Sequence, residues 1–95
     1  MIRNRPMKPD LEQALSIGLS ALAFLTEDRQ RLVRFLDLTG MAPDMLRAQA
    51  QSPALLSAVL DHMLADESLL LVFTASAGLN PGSIGPLSEL LRHAA

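Results

Sequence analysis

The chain has 95 residues, a length typical of one domain with one modest core. Apolar residues make up 49% of the chain and aromatic residues only 3%, so the core is aliphatic and apolar surface remains for self-association. No cysteine is present, which excludes disulfide scaffolds, thiolate metal sites and thiol nucleophiles.

The charges are unevenly placed. The net charge is -2, and three basic residues, Arg3, Arg5 and Lys8, lie among the first eight. From residue 9 onward, five arginines stand against ten acidic residues, a balance that disfavours nucleic-acid binding. The apolar run 69–79 is well short of the roughly 20 residues that cross a bilayer, so we expect no membrane span.

The beginning of the chain divides into two parts. Residues 1–8 show no periodicity and are predicted to form a flexible basic arm, while residues 9–95 form a single helical domain. Asp10 is the predicted cap of the first helix. The small residues at 21–23 could end a signal peptide, but the early acidic residues favour an amphipathic helix. Its apolar face consists of Leu11, Leu15, Leu19, Leu22 and Leu25.

The next two helices meet at a sharp corner. Thr26 ends the first helix and is a candidate cap for a second, at about 27–39, with acidic residues in its first turn. The side chains predicted to be buried there are Leu32, Phe35, Leu36 and Thr39. Gly40 ends the second helix, and Pro43 begins a short third helix that extends to about Gln51.

Three further helices complete the predicted fold. Ser52 caps a fourth helix at about 53–65, whose apolar stripe comprises Leu55, Leu56, Val59, Leu60, Met63 and Leu64. A fifth begins after Asp66, is apolar on nearly every side, and should be central or covered by a partner. Asn80 begins the sixth, which turns Leu87, Leu90 and Leu91 inward. The fold class is therefore all-α, a compact bundle of about six short helices.

A shift of 38 residues aligns the second helix and its corner with the fifth helix and the corner after it. The matched pairs are Asp28 and Asp66, Leu32 and Leu70, Phe35 and Phe73, Gly40 and Gly78, and Pro43 and Pro81. The matches fall on residues that begin, end or anchor helices. They predict two similar three-helix halves.

Both corners share the pattern Phe-x4-Gly-apolar-x-Pro. Their residues are Phe35, Gly40, Met41 and Pro43 in the first, and Phe73, Gly78, Leu79 and Pro81 in the second. The glycine can adopt the left-handed conformation that ends a helix, and the proline suits the first position of the next one. The apolar residue between them should fold back onto the last turn, so we expect Phe35 to touch Met41 and Phe73 to touch Leu79.

The first corner also has the outline of a helix-turn-helix unit. A recognition helix reads DNA with its first residues, but here these are Ala42, Pro43, Asp44 and Met45, which include an acid and no basic residue. We therefore interpret the corner as structural. A DNA-binding accessory protein, acting through the basic arm and this corner, remains the alternative function.

Candidate chemistry is sparse. His62 and Asp66 lie one helical turn apart, a pairing that can serve acid–base catalysis. The simpler interpretation is a solvated end of the fourth helix. We predict no catalytic, cofactor-binding or metal site, and an enzyme centred on His62 is the third hypothesis.

Three arginines form the candidate partner surface. Arg31 and Arg34 share one helix face and Arg47 lies just beyond the corner, so together they could meet an acidic partner or phosphate. The alternative is a solvated face partly neutralised by Glu27 and Asp37. The three arginines and the excess of aliphatic residues together favour a non-enzymatic protein-interaction module that forms homo-oligomers.

Several short motifs between Ala21 and Pro81 carry a family resemblance. They are Phe-Leu before an acidic pair, Arg-Phe-Leu with Thr-Gly, Leu-Arg before a helix begun by Ser-Pro, and Asp-Glu before Leu-Leu. Together they resemble the domain of unknown function 3572 family, small bacterial proteins found mainly in alphaproteobacteria. The resemblance implies a cytoplasmic bacterial protein. It implies no activity and assigns no role to any residue.

Overall fold

The computed structural model describes residues 10–95, which form an all-α bundle without a strand in that range. Its helices are α1 (Leu11–Thr26), α2 (Arg29–Thr39), α3 (Pro43–Ala48), α4 (Pro53–Leu64), α5 (Glu67–Ala77) and α6 (Ile84–Ala94). One 3₁₀ turn, Pro81–Ser83, leads into α6. The all-α fold class is confirmed. The predicted arm, 1–8, lies outside the described residues.

The core is centred on α4, with α1 and α6 packed against it and against each other. Aliphatic side chains fill this centre, and the fully buried ones include Leu25, Leu56, Leu60, Ile84 and Leu91. Gly18 lets α1 approach α4, because a Cβ at that position would lie 2.9 Å from the Cβ of Leu56.

Side-chain caps define the helix beginnings. Asp10 accepts the amide of Gln13 at 2.8 Å, which confirms the first predicted cap. The prediction for α2 was wrong: Asp28, not Thr26, caps it, by accepting the amide of Gln30 at 2.9 Å. Both residue types are good caps. Here the hydroxyl of Thr26 is used within α1, where it donates to the carbonyl of Ala23.

Both corners have the predicted left-handed glycine. Gly40 has a φ of 75° and Gly78 a φ of 70°, a conformation that other residues adopt at a cost of about 1–2 kcal/mol. The residues that follow them, Met41 and Leu79, are half-buried and pack against the core. Their direct contacts with the two phenylalanines stay predictions.

The two corners differ in the hydrogen bond of the residue after the glycine. The amide of Leu79 donates to the carbonyl of Thr74 at 2.8 Å, back across the last turn of α5. The amide of Met41 instead donates to the hydroxyl of Thr39 at 3.3 Å. Thr39 was predicted to be buried, but it is exposed at the helix end, where its hydroxyl serves the turn.

The 38-residue offset holds for the first two helices of each half. Helices α1 and α4 end 38 residues apart, and α2 and α5 match at their caps, their first residues and their last residues. The third elements differ, since α3 has six residues whereas the second half continues through a 3₁₀ turn into the eleven-residue α6. The halves are therefore alike in two helices of three.

Several burial predictions change in three dimensions. Only Phe35 of α2 is fully buried, while Leu32 and Leu36 are partly exposed because α2 contacts the bundle along one narrow stripe. Helix α3 ends at Ala48, before the predicted Gln51. The stripe on α4 is buried as predicted, except for Leu64, which is exposed.

Helix α5 is peripheral, so of the two predicted placements the central one is wrong and coverage by a partner stays a prediction. It buries Phe73 and Thr74, and it packs mainly on α4 with smaller contacts to α1 and the 3₁₀ turn. Leu71 and Val72 on the opposite face are 48% and 50% exposed. An apolar helix lies at the edge because α6 occupies the central position beside α4 and α1.

Candidate functional site

A cleft of about 550 Å³ lies where α2, the end of α4 and the start of α5 meet. Its polar lining consists of Gln30, Arg31, Arg34, His62, Asp66 and Ser68. It thus combines two groups of residues that the sequence presented separately, the arginines of α2 and the histidine–aspartate pair. They come together because α5 turns back at Asp66 and places its first turn beside α2.

Arg31 is held in place by an aromatic ring. Its guanidinium carbon lies 4.1 Å from the ring centroid of Phe24, a cation–π contact. Phe24 in turn packs against Phe73, with ring centroids 5.4 Å apart. The Arg31 side chain therefore lies over a pair of tilted rings from α1 and α5, a contact that restricts its rotamers.

His62 is partly buried at one end of the cleft. Its Nε2 is fully buried without a hydrogen-bond partner, and its ring meets Phe35 nearly perpendicularly, with centroids 5.1 Å apart. Burial lowers the pKa of His62, with Asp66 opposing that change and Arg34 adding to it. The predicted solvated helix end therefore holds only in part for this residue, since its Nε2 is enclosed.

Donors outnumber acceptors in the cleft. Within residues 10–95, neither Arg31 nor Arg34 forms an ion pair with Glu27, Asp37 or another carboxylate. The one carboxylate lining the cleft, Asp66, caps α5 by accepting the amide of Leu69 at 3.2 Å.

Arg47 does not belong to this cleft. It lines a separate, largely apolar groove between α1, α2 and α3, together with Leu22, Leu32 and Leu46. Its guanidinium lies 3.9 Å from the carboxylate of Asp44, and both side chains are highly exposed, so this ion pair adds little stability. The three arginines predicted as one surface therefore occupy two separate places.

The outer face of α5 is a second candidate surface. Five residues at helical spacing share it: Ser68, Leu71, Val72, Ala75 and Ser76. All five are exposed, and none carries a charge. The sequence signal was the all-round apolar character of this helix, although its position at the edge could not be read from it.

A polar cluster between α4 and α6 had no recognised sequence signal. The hydroxyl of Ser88 donates to Asp61 at 2.6 Å and lies 3.2 Å from the hydroxyl of Ser57. Arg92 donates to both carboxylate oxygens of Asp61, at 3.0 and 2.9 Å. The two serines are buried and fix the register of α6 on α4, so we assign the cluster a structural role.

Two features are absent from the part of the chain that the structure describes. Between residues 10 and 95, no three His, Asp or Glu side chains are grouped as metal ligands. No helix in the same range combines the length and apolar character needed to traverse a bilayer. Arg3, Arg5 and Lys8, on which the DNA-binding alternative depends, lie outside it.

Comparison with known proteins identifies a family without supplying an activity. No curated protein and no solved structure has significant similarity to the chain. One family model, described as a protein of unknown function, matches residues 11–94, which include every helix of the bundle. The chain therefore belongs to the DUF3572 family of proteins of unknown function.

Proposed function

We propose that the protein is a non-enzymatic interaction module of the bacterial cytoplasm that self-associates through the outer face of α5. The observation that carries the proposal is the exposure of Leu71 and Val72, each about half exposed, on an uncharged face of a peripheral helix. A contiguous apolar face of this kind marks an interaction site more often than isolated exposed residues do. The absence of cysteine is in keeping with a reducing compartment.

The composition of the face favours a second copy as the partner. Residues 68–88 contain no charged side chain, so two copies can meet there without like-charge repulsion. Ala75 and the flanking serines are small, which lets two helices approach closely around Leu71 and Val72. A two-fold contact needs a surface that is complementary to itself, and a mixed small and apolar face meets this condition.

Helix α2 offers a weaker candidate of similar exposure. Val33, which the 38-residue shift places on Leu71, is 44% exposed, but Arg29, Arg34 and Asp37 lie on the same outer side. Two copies that meet through α2 would have to bury or displace these charges, a costly desolvation. The face of α5 carries no such cost.

The proposal is tested by the mass of the protein in solution. We expect size-exclusion chromatography with light scattering to show a dimer that dissociates on dilution. Leu71→Glu should give a monomer at the same concentration, because it buries a carboxylate in an apolar contact. Circular dichroism should show an unchanged helical fold, since Leu71 faces away from the core.

Val33→Glu is the matched control, because it places the same charge at the equivalent position of α2 with similar exposure. This variant should remain a dimer. A parent protein that is monomeric at high micromolar concentration would refute self-association. Equal dissociation of both variants would show that the contact does not belong to α5.

A further inference from the structure

We propose that the cleft between α2, α4 and α5 binds a phosphate group. The proposal does not require self-association, although Ser68 belongs both to the cleft and to the outer face of α5. It rests on two arginines without an ion pair in residues 10–95, on the contact of Arg31 with the Phe24 ring, and on a concave lining that holds only one carboxylate. Arginine is the residue best suited to such recognition, because its planar guanidinium offers several donors to phosphate oxygens.

The donors reach the cleft from two sides. Arg31, Arg34 and Gln30 line the cleft from α2, and Ser68 lines it from the first turn of α5. The amides of Glu67 and Ser68 precede the first intrahelical hydrogen bond of α5, so the positive end of that helix borders the same space. Donors on opposing sides suit a tetrahedral anion, whereas one arginine already satisfies both oxygens of a planar carboxylate.

Asp66 is the one group in the cleft that opposes an anion. Its side chain accepts the amide of Leu69, and its backbone carbonyl accepts the amide of Leu70, so it is fixed as the cap of α5. Two arginines against one aspartate leave the cleft with a positive excess. His62, partly buried at the edge, adds a group whose charge responds to an anion nearby.

The size of the cleft decides what can carry the phosphate. Its volume of about 550 Å³ lies within the range of small-molecule sites and exceeds what a lone phosphate requires. The group is therefore either free or part of a small phosphorylated molecule. Parallel titrations with inorganic phosphate and glycerol 3-phosphate separate these sources, because only contacts with the organic part make the second bind more tightly.

The test is a titration of the full-length protein at low ionic strength, followed by ¹H–¹⁵N NMR. Phosphate should cause saturable shifts at the amides of Ser68 and Leu69, and it should raise the pKa of His62, because a nearby anion favours the imidazolium. Arg34→Gln should weaken binding about tenfold, since it removes a charge-assisted hydrogen bond. Arg34 is exposed, so this variant keeps the fold.

Arg47→Gln is the matched control, because it removes the same charge from an exposed arginine outside the cleft. It should leave the affinity for phosphate unchanged. Equal weakening by both substitutions would overturn the proposal, as would similar shifts with sodium chloride of the same ionic strength. Acetate that binds as tightly as phosphate would contradict a site for a tetrahedral anion.

Discussion

Gly18 is the residue at which α1 and α4 come closest together. An added methyl group would meet the Cβ of Leu56 at 2.9 Å, and that atom cannot move without its helix. We expect Gly18→Ala to destabilise the protein by about 1 kcal/mol net, because overpacking costs about 1–3 kcal/mol and alanine recovers about 1 kcal/mol of helix propensity. Urea unfolding measures the difference.

Gly85 provides the opposite case within α6. No atom lies within 4 Å of a Cβ built there, and its φ is not positive. Gly85→Ala should therefore be neutral or stabilising by up to about 1 kcal/mol. If Gly18→Ala and Gly85→Ala destabilised the protein equally, the close approach of α1 to α4 would not be the reason that position 18 requires glycine.

His62 makes stability depend on pH. Its pKa in the folded protein lies below the ordinary value of 6.5, chiefly because of burial. The unfolded chain therefore takes up a proton first as pH falls below about 6.5, and stability decreases from there down to the folded-state pKa. The urea midpoint should therefore fall as the pH is lowered from 8 to 5.

Two substitutions isolate this contribution. His62→Leu removes the titrating group and should flatten the decrease between pH 7 and pH 5, whereas His93→Gln, at an exposed residue, should retain it. An unchanged slope in His62→Leu would mean that the buried Nε2 does not control the response.

The contact between α4 and α6 depends on a pair of small polar residues. Ser57 and Ser88 are buried against each other, and Ser88 also donates to Asp61. Ser88→Ala should cost about 1 kcal/mol in urea unfolding, because Ser57 and Asp61 each lose a partner. The double variant Ser57→Ala with Ser88→Ala should cost less than the sum of the single changes, since neither hydroxyl is then left unpaired. Additive losses would argue against direct coupling.

Helix ends were the best-predicted elements, because their causes are local. Asp10, Ser52 and Asp66 cap as expected, and Gly40 and Gly78 take the left-handed conformation. A cap needs only a side-chain oxygen and an amide two or three residues away, so short sequence windows contain the information. The exception at α2 arose where Thr26 and Asp28, two residues apart, were both suitable caps.

The positions of whole helices were less predictable. The apolar content of α5 exceeded that of a typical surface helix, yet α6 took the place beside α4 and α1. Single small residues decide such contacts: Gly18 and Ser88 permit close approach, but neither has a periodic signal in the sequence. Competition among apolar helices is settled by shape, which one sequence does not reveal.

In the whole molecule, the candidate cleft is a further feature that could not be predicted from the sequence. Its arginines and His62 were each noted from the sequence, but their meeting depends on the angle at which α5 leaves α4. Arg47 was grouped with them because it lies near the corner in sequence, and the structure places it in another groove. Residue types were recognisable, while their convergence required three-dimensional packing.

The central position of α6 has a consequence for how the protein is made. Helices α1 and α4 precede α6 in the chain. The apolar surface that they both present to α6 stays uncovered until residues 84–94 are present. A nascent chain that stops before Ile84 exposes the buried side of α4 to other chains and to proteases. We therefore expect a chain that ends before Ile84 to aggregate rather than fold.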